Sequence, residues 1–437
     1  MRNKNVLKEF IKYISFNIMG QLAYSCYTLA DTFFVSSALG SNGLAALNLA
    51  FPVLCFINGI GLMIGIGGGT KFTVSRIRGE KDKADKVFTN SVYLVILFSF
   101  LFVLTGMLLS GKIVHLLGAD DSIFTMTNTY LRTMLFFAPA FLTNNLLQCF
   151  IRNDGRPSLS MAAMITGSLS NVVLDYIFVF PLDMGIFGAI LATGLAPIIS
   201  IMVLSPYIIK RKNSFHLTTC LPEFKRIVDI ISGGVPALVT EASSGITMIV
   251  FNSIILRLKG NAGVAAYGIV AAVSLVVVAI YTGLSQGIQP IISKSHGLGN
   301  KGDVKAIRRY SFITVVLLSA VIYSVIFFGA QSIAGVFNSE HNEVLQQIAV
   351  TGLKIYFISC PFVGFNIITS TCFASTENPK PANIISILRG IIIIIPMAFL
   401  MSALFKMLGV WLAFPLTEFV AAVTGIGLFK YGSNKQI

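Results

Sequence analysis

The sequence predicts an all-α membrane protein: twelve transmembrane helices in two parallel six-helix lobes, related by a pseudo-two-fold axis along the membrane normal. Three observations carry that prediction. First, the 437 residues are 55% hydrophobic and only 11% charged, with a mean hydropathy of +0.81. A soluble globule carries about 25% charged residues, so this chain cannot cover a water-facing surface of its size. Second, apolar runs at 87–109, 311–330 and 384–404 reach the roughly 20 residues that cross hydrocarbon. Third, the chain repeats itself once along its length.

The spans must be helices. Lipid offers no water to satisfy loose backbone groups, and the short alternating strands of a barrel are absent from the sequence. Apolar runs and polar breaks place spans at about 8–39, 43–70, 86–111, 125–151, 158–181, 186–209, 224–257, 264–293, 304–333, 345–374, 382–405 and 408–430. The first apolar stretch is too long for a cleaved signal segment, so none is expected.

The repeat is visible in short motifs. Gly40-Ser-Asn-Gly-Leu-Ala-Ala46 matches Gly260-Asn-Ala-Gly-Val-Ala-Ala266, an offset of 220 residues. Ser75 and Gly79 meet Ser295 and Gly299 at the same offset. Further on, Arg156-Pro157-Ser158 pairs with Asn378-Pro379-Lys380, Gly185-Ile186-Phe187 with Gly409-Val410-Trp411, and Thr193 with Thr417. Each half then holds six spans. Six is even, so both halves enter from the same side as parallel repeats. The expected division is an N-lobe at 1–212, a linker at 213–223 and a C-lobe at 224–437.

A net charge of +14 invites a nucleic-acid partner, but its placement argues otherwise. Of the 32 cations, 26 fall in alternate loops, with Arg152 and Arg389 counted among them. That bias puts both termini in the cytoplasm of a cell (inner) membrane protein. Membrane lipids with anionic headgroups, not a polymer, are the partners it implies. A monomer is expected. The six cysteines form no CxxC pair, and His115, His216, His296 and His341 show no ligand spacing. No metal centre of that kind, cofactor or enzymatic constellation is read from them. Gly61, Gly65, Gly67, Gly68 and Gly69 lie within a span, where close helix packing explains them better than a nucleotide loop.

Four of the eighteen acidic residues fall inside spans: Asp31, Asp175, Glu241 and Glu418. An ionised acid at mid-helix costs about 2.5–3.5 kcal/mol on insertion scales, so residues of this kind point to function. Asp31 and Asp175 sit at similar depth in the N-lobe. Asn171 lies one turn from Asp175, and Thr193 lies in the next helix. Two carboxylates, an amide and a hydroxyl suit a hard cation such as sodium. Two close carboxylates also suit a shared proton. Glu241, midway along the seventh span beside Ser243, Ser244 and Thr247, is a candidate second proton or substrate-cation site. The role of Glu418 is left open.

These residues resemble the multidrug and toxic compound extrusion (MATE) family, in its MepA-like bacterial branch. The resemblance rests on Ala30-Asp-Thr-Phe-Phe-Val35, Gly79-Glu-Lys-Asp82, Arg152-Asn-Asp-Gly-Arg-Pro157, Asn171-Val-Val-Leu-Asp-Tyr-Ile-Phe178 and Gly185-Ile-Phe-Gly-Ala189. It implies export of small cationic drugs by antiport with sodium or protons. It also implies a cation site at Asp31, Asn171, Asp175 and Thr193, lined by Tyr27 and Asn145, with Glu241 as the C-lobe acid. The chain departs from the family in two places. It has Phe16 where many members have a proline in the first span, and Asn366 near the position where some carry an acid in the tenth. The alternative is a flippase of lipid-linked oligosaccharides, whose anionic cargo calls for a cavity richer in Arg and Lys.

Overall fold

The computed structural model describes residues 2–338 and 342–434; His341 and Lys435 lie outside the described residues. Among them there is no strand. The N-terminal half holds α1 (residues 2–39), α2 (Asn42–Ile77), α3 (Lys81–Leu108), α4 (Asp121–Asn153), α5 (Pro157–Val179) and α6 (Gly185–Ile209). The C-terminal half holds α7 (Phe224–Gly260), α8 (Ala262–Gly297), α9 (Lys301–Phe337), α10 (Glu343–Ser375), α11 (residues 379–405) and α12 (residues 407–434). Long apolar helices and sharp turns thus make the two six-helix lobes.

The repeat is a repeat of backbone geometry. Between α1 and α2 the chain turns at Gly40, with φ 63° and ψ −153°; between α7 and α8 it turns at Gly260, with φ 61° and ψ −154°. Both angles lie where a Cβ is unfavourable, which is why glycine recurs at an offset of 220. Elsewhere α1 runs unbroken, through Phe16 included.

Burial follows the bilayer, not an aqueous surface. Val316, Leu317, Val321, Val325 and Phe328 of α9 are all exposed, an apolar stripe that only lipid can cover. The lobes meet through α1 and α2 against α7 and α8. At the α2–α7 crossing, a Cβ on Gly67 would run into the Ile230 carbonyl, and one on Gly234 into the Met63 carbonyl. Two glycines therefore let two backbones touch, while Gly61, Gly65 and Gly69 of the glycine run pack against Asn145, Cys149 and Asn153 of α4.

The helix tips near the linker are exchanged. Val6, Phe10, Tyr13 and Ile14 of α1 pack into the core of the C-lobe helices, while Ile230 of α7 packs into the core of the N-lobe helices. Phe10 and Ile230 are 220 residues apart, so the exchange obeys the repeat.

The linker after α6 is sewn to the N-lobe. Asp154 accepts from the Ser214 N–H at 2.9 Å, from the Ser214 hydroxyl and from the Tyr207 hydroxyl at 2.8 Å. The His216 N–H donates to Asp85 at 2.9 Å and the Glu223 N–H to Asn90 at 3.0 Å. Phe215, 1% exposed, sits among Phe72, Phe88 and Phe150. Phe215→Ala empties that aromatic cluster and should cost about 3 kcal/mol or more. A clear fall in the melting temperature of the detergent-solubilised protein is expected, and an unchanged one would show that the linker is not anchored there.

Candidate functional site

The four N-lobe residues singled out from the sequence come together. Asp31 of α1, Asn171 and Asp175 of α5, and Thr193 of α6 are buried, at 6%, 0%, 0% and 2% exposure. The carboxyl groups of Asp31 and Asp175 lie side by side, each within electrostatic reach of the other. One oxygen of each, Asp31 Oδ1 and Asp175 Oδ1, is buried without a partner. The Asn171 amide fits in two orientations. In one, Nδ2 donates to Thr193 Oγ1 at 3.3 Å. In the other, it donates to Asp175 Oδ2 at 3.0 Å while its oxygen accepts from the Thr193 N–H at 3.2 Å. The second places a donor on the carboxylate and is the better satisfied.

Helix spacing explains the convergence. Asn171 and Asp175 are four apart, hence on one face of α5. The turn from α5 into α6 brings Thr193 back to the same depth. Two buried carboxylates at contact repel strongly. They remain there only if a proton or a cation answers their charge.

Tyr130 of α4, 2% exposed, lies beside this cluster, near Asp31, Asp175 and Thr193. Sequence reasoning missed it, since a lone tyrosine in a span carries no signal. Tyr27 lies between the acids and the central cavity. Its ring meets that of Tyr24 edge-on, with centroids 4.9 Å apart. From Tyr24 the polar chain continues. Asn58 donates to the Tyr24 hydroxyl at 3.0 Å, and Asn145 donates to Asn58 Oδ1 at 3.3 Å. Tyr27 and Asn145 both line the central cavity, with Glu241 on its far wall and Arg152 and Gln286 also lining it.

Glu241 is half-buried and packs its Cβ toward Gly59. Among the described residues no side chain pairs with it. Ser243 and Ser244 beside it donate to carbonyls of their own helix, at Val239 and Thr240. Glu418 is the opposite case. It is 1% exposed, and Arg389 reaches its Oε1 from Nε at 3.0 Å and from Nη2 at 2.9 Å. Asn366 donates to its Oε2 at 2.7 Å. Arg389 sits in a π-helical turn, Leu388–Ile392, within α11.

Two cations assigned to the loops from the sequence are therefore inside the bundle. Arg389 answers Glu418. Arg152, also 1% exposed, donates to Asn17 at 3.1 Å and to Gln286 at 2.7 Å. Both are near span ends, where a charge count treats a long cationic side chain as reaching out to the interface.

Two helical lobes around a polar cavity walled by intramembrane acids define a multi-pass membrane transporter. The chain belongs to the MatE family: the family profile matches residues 17–177 and 236–400, one stretch in each half. It is 26% identical to the multidrug export protein MepA of Staphylococcus saprophyticus, covering 97% of this chain and 93% of that one. With MepA of Staphylococcus aureus it shares 27% identity over 96% and 93% of the two chains. Solved structures agree in fold. A multidrug resistance MATE family transporter in an outward-facing conformation superposes with a TM-score of 0.90 at 23% identity, covering 98% of this chain and 97% of that one. A MOP superfamily transporter from Pyrococcus furiosus, described as having a binding pocket of reverse polarity, gives the same score and identity over 98% and 95%.

The Arg389–Glu418 pair makes a direct prediction. Arg389→Gln leaves a buried carboxylate without its cation and should cost about 3–5 kcal/mol. The double change Arg389→Met with Glu418→Leu should recover most of that loss. Melting temperatures of the three proteins decide it, and equal destabilisation by the single and double variants would refute the pairing.

Proposed function

We propose that this protein is a secondary active multidrug efflux transporter that exports small lipophilic organic cations by antiport with sodium or protons. The observation that carries the reading is the buried contact between Asp31 and Asp175, each with an unpartnered oxygen. Such a pair is stable only while it holds an exchangeable cation. The names of its MepA relatives, multidrug export proteins, support the drug side of the proposal.

In this reading the lobes at 1–212 and 224–437, joined by 213–223, alternate their exposure around the central cavity. The protein lies in the cell inner membrane with both termini cytoplasmic and works as a monomer. Apolar and aromatic walls receive a flat lipophilic cation, and the acids select for its charge. Drug and coupling ion compete for overlapping carboxylates, Asp31 and Asp175 behind Tyr27 on one side of the cavity and Glu241 on the other. Two adjacent buried carboxyl groups relieve their repulsion by sharing a proton, which supports protons as the coupling ion. The oxygens of Asn171 and Thr193 beside them favour sodium as a second reading.

Coupling free energies of 1–3 kcal/mol set the scale. Asp31→Asn and Asp175→Asn should each slow efflux of a fluorescent cation by roughly tenfold or more. Proteoliposomes with imposed sodium or proton gradients, one at a time, identify the ion. Undiminished efflux in both variants would overturn the N-lobe coupling site.

A further inference from the structure

The helix-α10 to α11 turn repeats the α4 to α5 turn with one substitution. In the first lobe, Gly155 has φ 87°; its N–H donates to the Arg152 carbonyl and the Arg156 N–H to the Ile151 carbonyl. In the second lobe, the residue 222 positions on is Glu377, with φ 57°. Its N–H donates to the Ala374 carbonyl and the Asn378 N–H to the Phe373 carbonyl. The hydrogen-bond pattern is the same helix-ending motif, which prefers glycine. A glutamate there holds a strained left-handed backbone.

The glutamate side chain is the centre of a charge cluster. Lys71 Nζ lies 3.0 Å from Glu377 Oε1 and Arg78 Nη2 lies 3.1 Å from Oε2, both from the end of α2 in the N-lobe. His296 Nε2, at the end of α8, is 3.7 Å from Oε2. Lys71 also reaches Asp229 of α7 at 3.8 Å. The pairs Lys71–Glu377, Arg78–Glu377 and Lys71–Asp229 all bridge the lobes. Deeper in the interface lies an amide layer. Gln289 of α8 donates to Thr70 at 2.9 Å and to Asn153 at 3.1 Å, and Gln286 accepts from Arg152.

We infer that Glu377 is a latch residue: it holds the linker end of the two lobes together in one state of the transport cycle and releases α2 in the other. The backbone strain at its position has a reason only in the contacts of its side chain, because glycine would serve the turn better. The inference rests on the reading that the lobes alternate their exposure. Contact with His296, opposed by partial burial and aided by Lys71 and Arg78, holds the Glu377 carboxyl down at about 2. A depressed carboxyl contributes stability above its unfolded value and loses it as pH falls through about 2. The latch therefore stays charged at neutral and mildly acidic pH, and mechanical separation, not titration, opens it.

The test reads the separation of the lobes. Lys81 and Lys301 are exposed and repeat-equivalent, 220 residues apart. Cysteines placed at both, in a background with Cys26 and Cys220 changed to serine, take spin labels while the four other cysteines are buried. Pulsed dipolar distances are measured on the full chain in proteoliposomes. Glu377→Gln, Glu377→Gly and the double change Lys71→Gln with Arg78→Gln should each raise the ratio of long to short separations by roughly fivefold or more. Combining Glu377→Gln with the double change should add little. Glu377→Gly should keep or raise the melting temperature, because it relieves the turn. Wild-type distributions in all variants would overturn the latch. So would a shift confined to Glu377→Gly with none in Glu377→Gln, which would assign the effect to the turn. The readout needs no substrate, so its outcome is separable from the drug and ion assignments.

Discussion

A carboxyl group placed inside hydrocarbon has to be answered by a proton, a mobile cation or a permanent partner. The four intramembrane acids of this chain divide along that line. Glu418 is answered for good: Arg389 and Asn366 close around it, and almost none of it is exposed. Asp31 and Asp175 are answered only by each other and by neutral neighbours, with an oxygen of each left over. Glu241 has the open cavity beside it. Residues of one chemical type thus differ in role because their surroundings differ. In the proposed antiport, the pair that cannot satisfy itself is the one that exchanges an ion.

The repeat explains the frame and leaves the chemistry out. The turns at Gly40 and Gly260 agree within a few degrees, and the helix tips around Phe10 and Ile230 exchange in the same way. At the repeat-equivalent positions the functional groups differ. Asp31 faces Phe251 across the repeat, Glu241 faces Gln21, and Gly155 faces Glu377. Duplication supplies two similar rigid bodies. Their asymmetry puts the acid pair in one lobe and the charge cluster's central acid in the other. In the proposed antiport, a cation bound in the N-lobe therefore has no equal competitor at the same place in the C-lobe.

Much of this was legible in the sequence because the signals were periodic or costly. Long apolar runs fix spans, glycine at a matching offset marks a turn, and an acid in a span stands out against a background of leucine and valine. Partnership was less legible. Arg152 and Arg389 lie near span ends, where position alone does not say whether a cation reaches outward to water or inward to a partner. Tyr130 and Asn58 are ordinary polar residues in helices, and only the packing of α1, α2 and α4 brings them to the cluster. The role of Glu418 could not be read because its partner lies 29 residues earlier, on a helix face rotated by a π-turn. Sequence spacing on a regular helix does not predict that rotation.

The first helix links the two halves mechanically. Its tip, from Val6 to Ile14, is buried in the C-lobe core, while Asp31 further along it belongs to the N-lobe cluster. From Phe10 to Asp31 is about 32 Å of helix at 1.5 Å per residue, and no break interrupts it. A straight rod anchored in both lobes resists bending at its middle, since each intervening backbone hydrogen bond would have to give. The chain has Phe16, not a proline, in that stretch, so it lacks the usual weak point. Under the proposed antiport, a change of occupant at Asp31 would be felt at the rod's other end as a tilt against Phe251, Ile288 and their neighbours in the C-lobe core. Packed cores accept such a tilt as a jump between discrete arrangements rather than as a gradual strain. In the proposed antiport, the exchanged helix tips are therefore where an ion bound at one end of α1 becomes a rearrangement of the interface at the other.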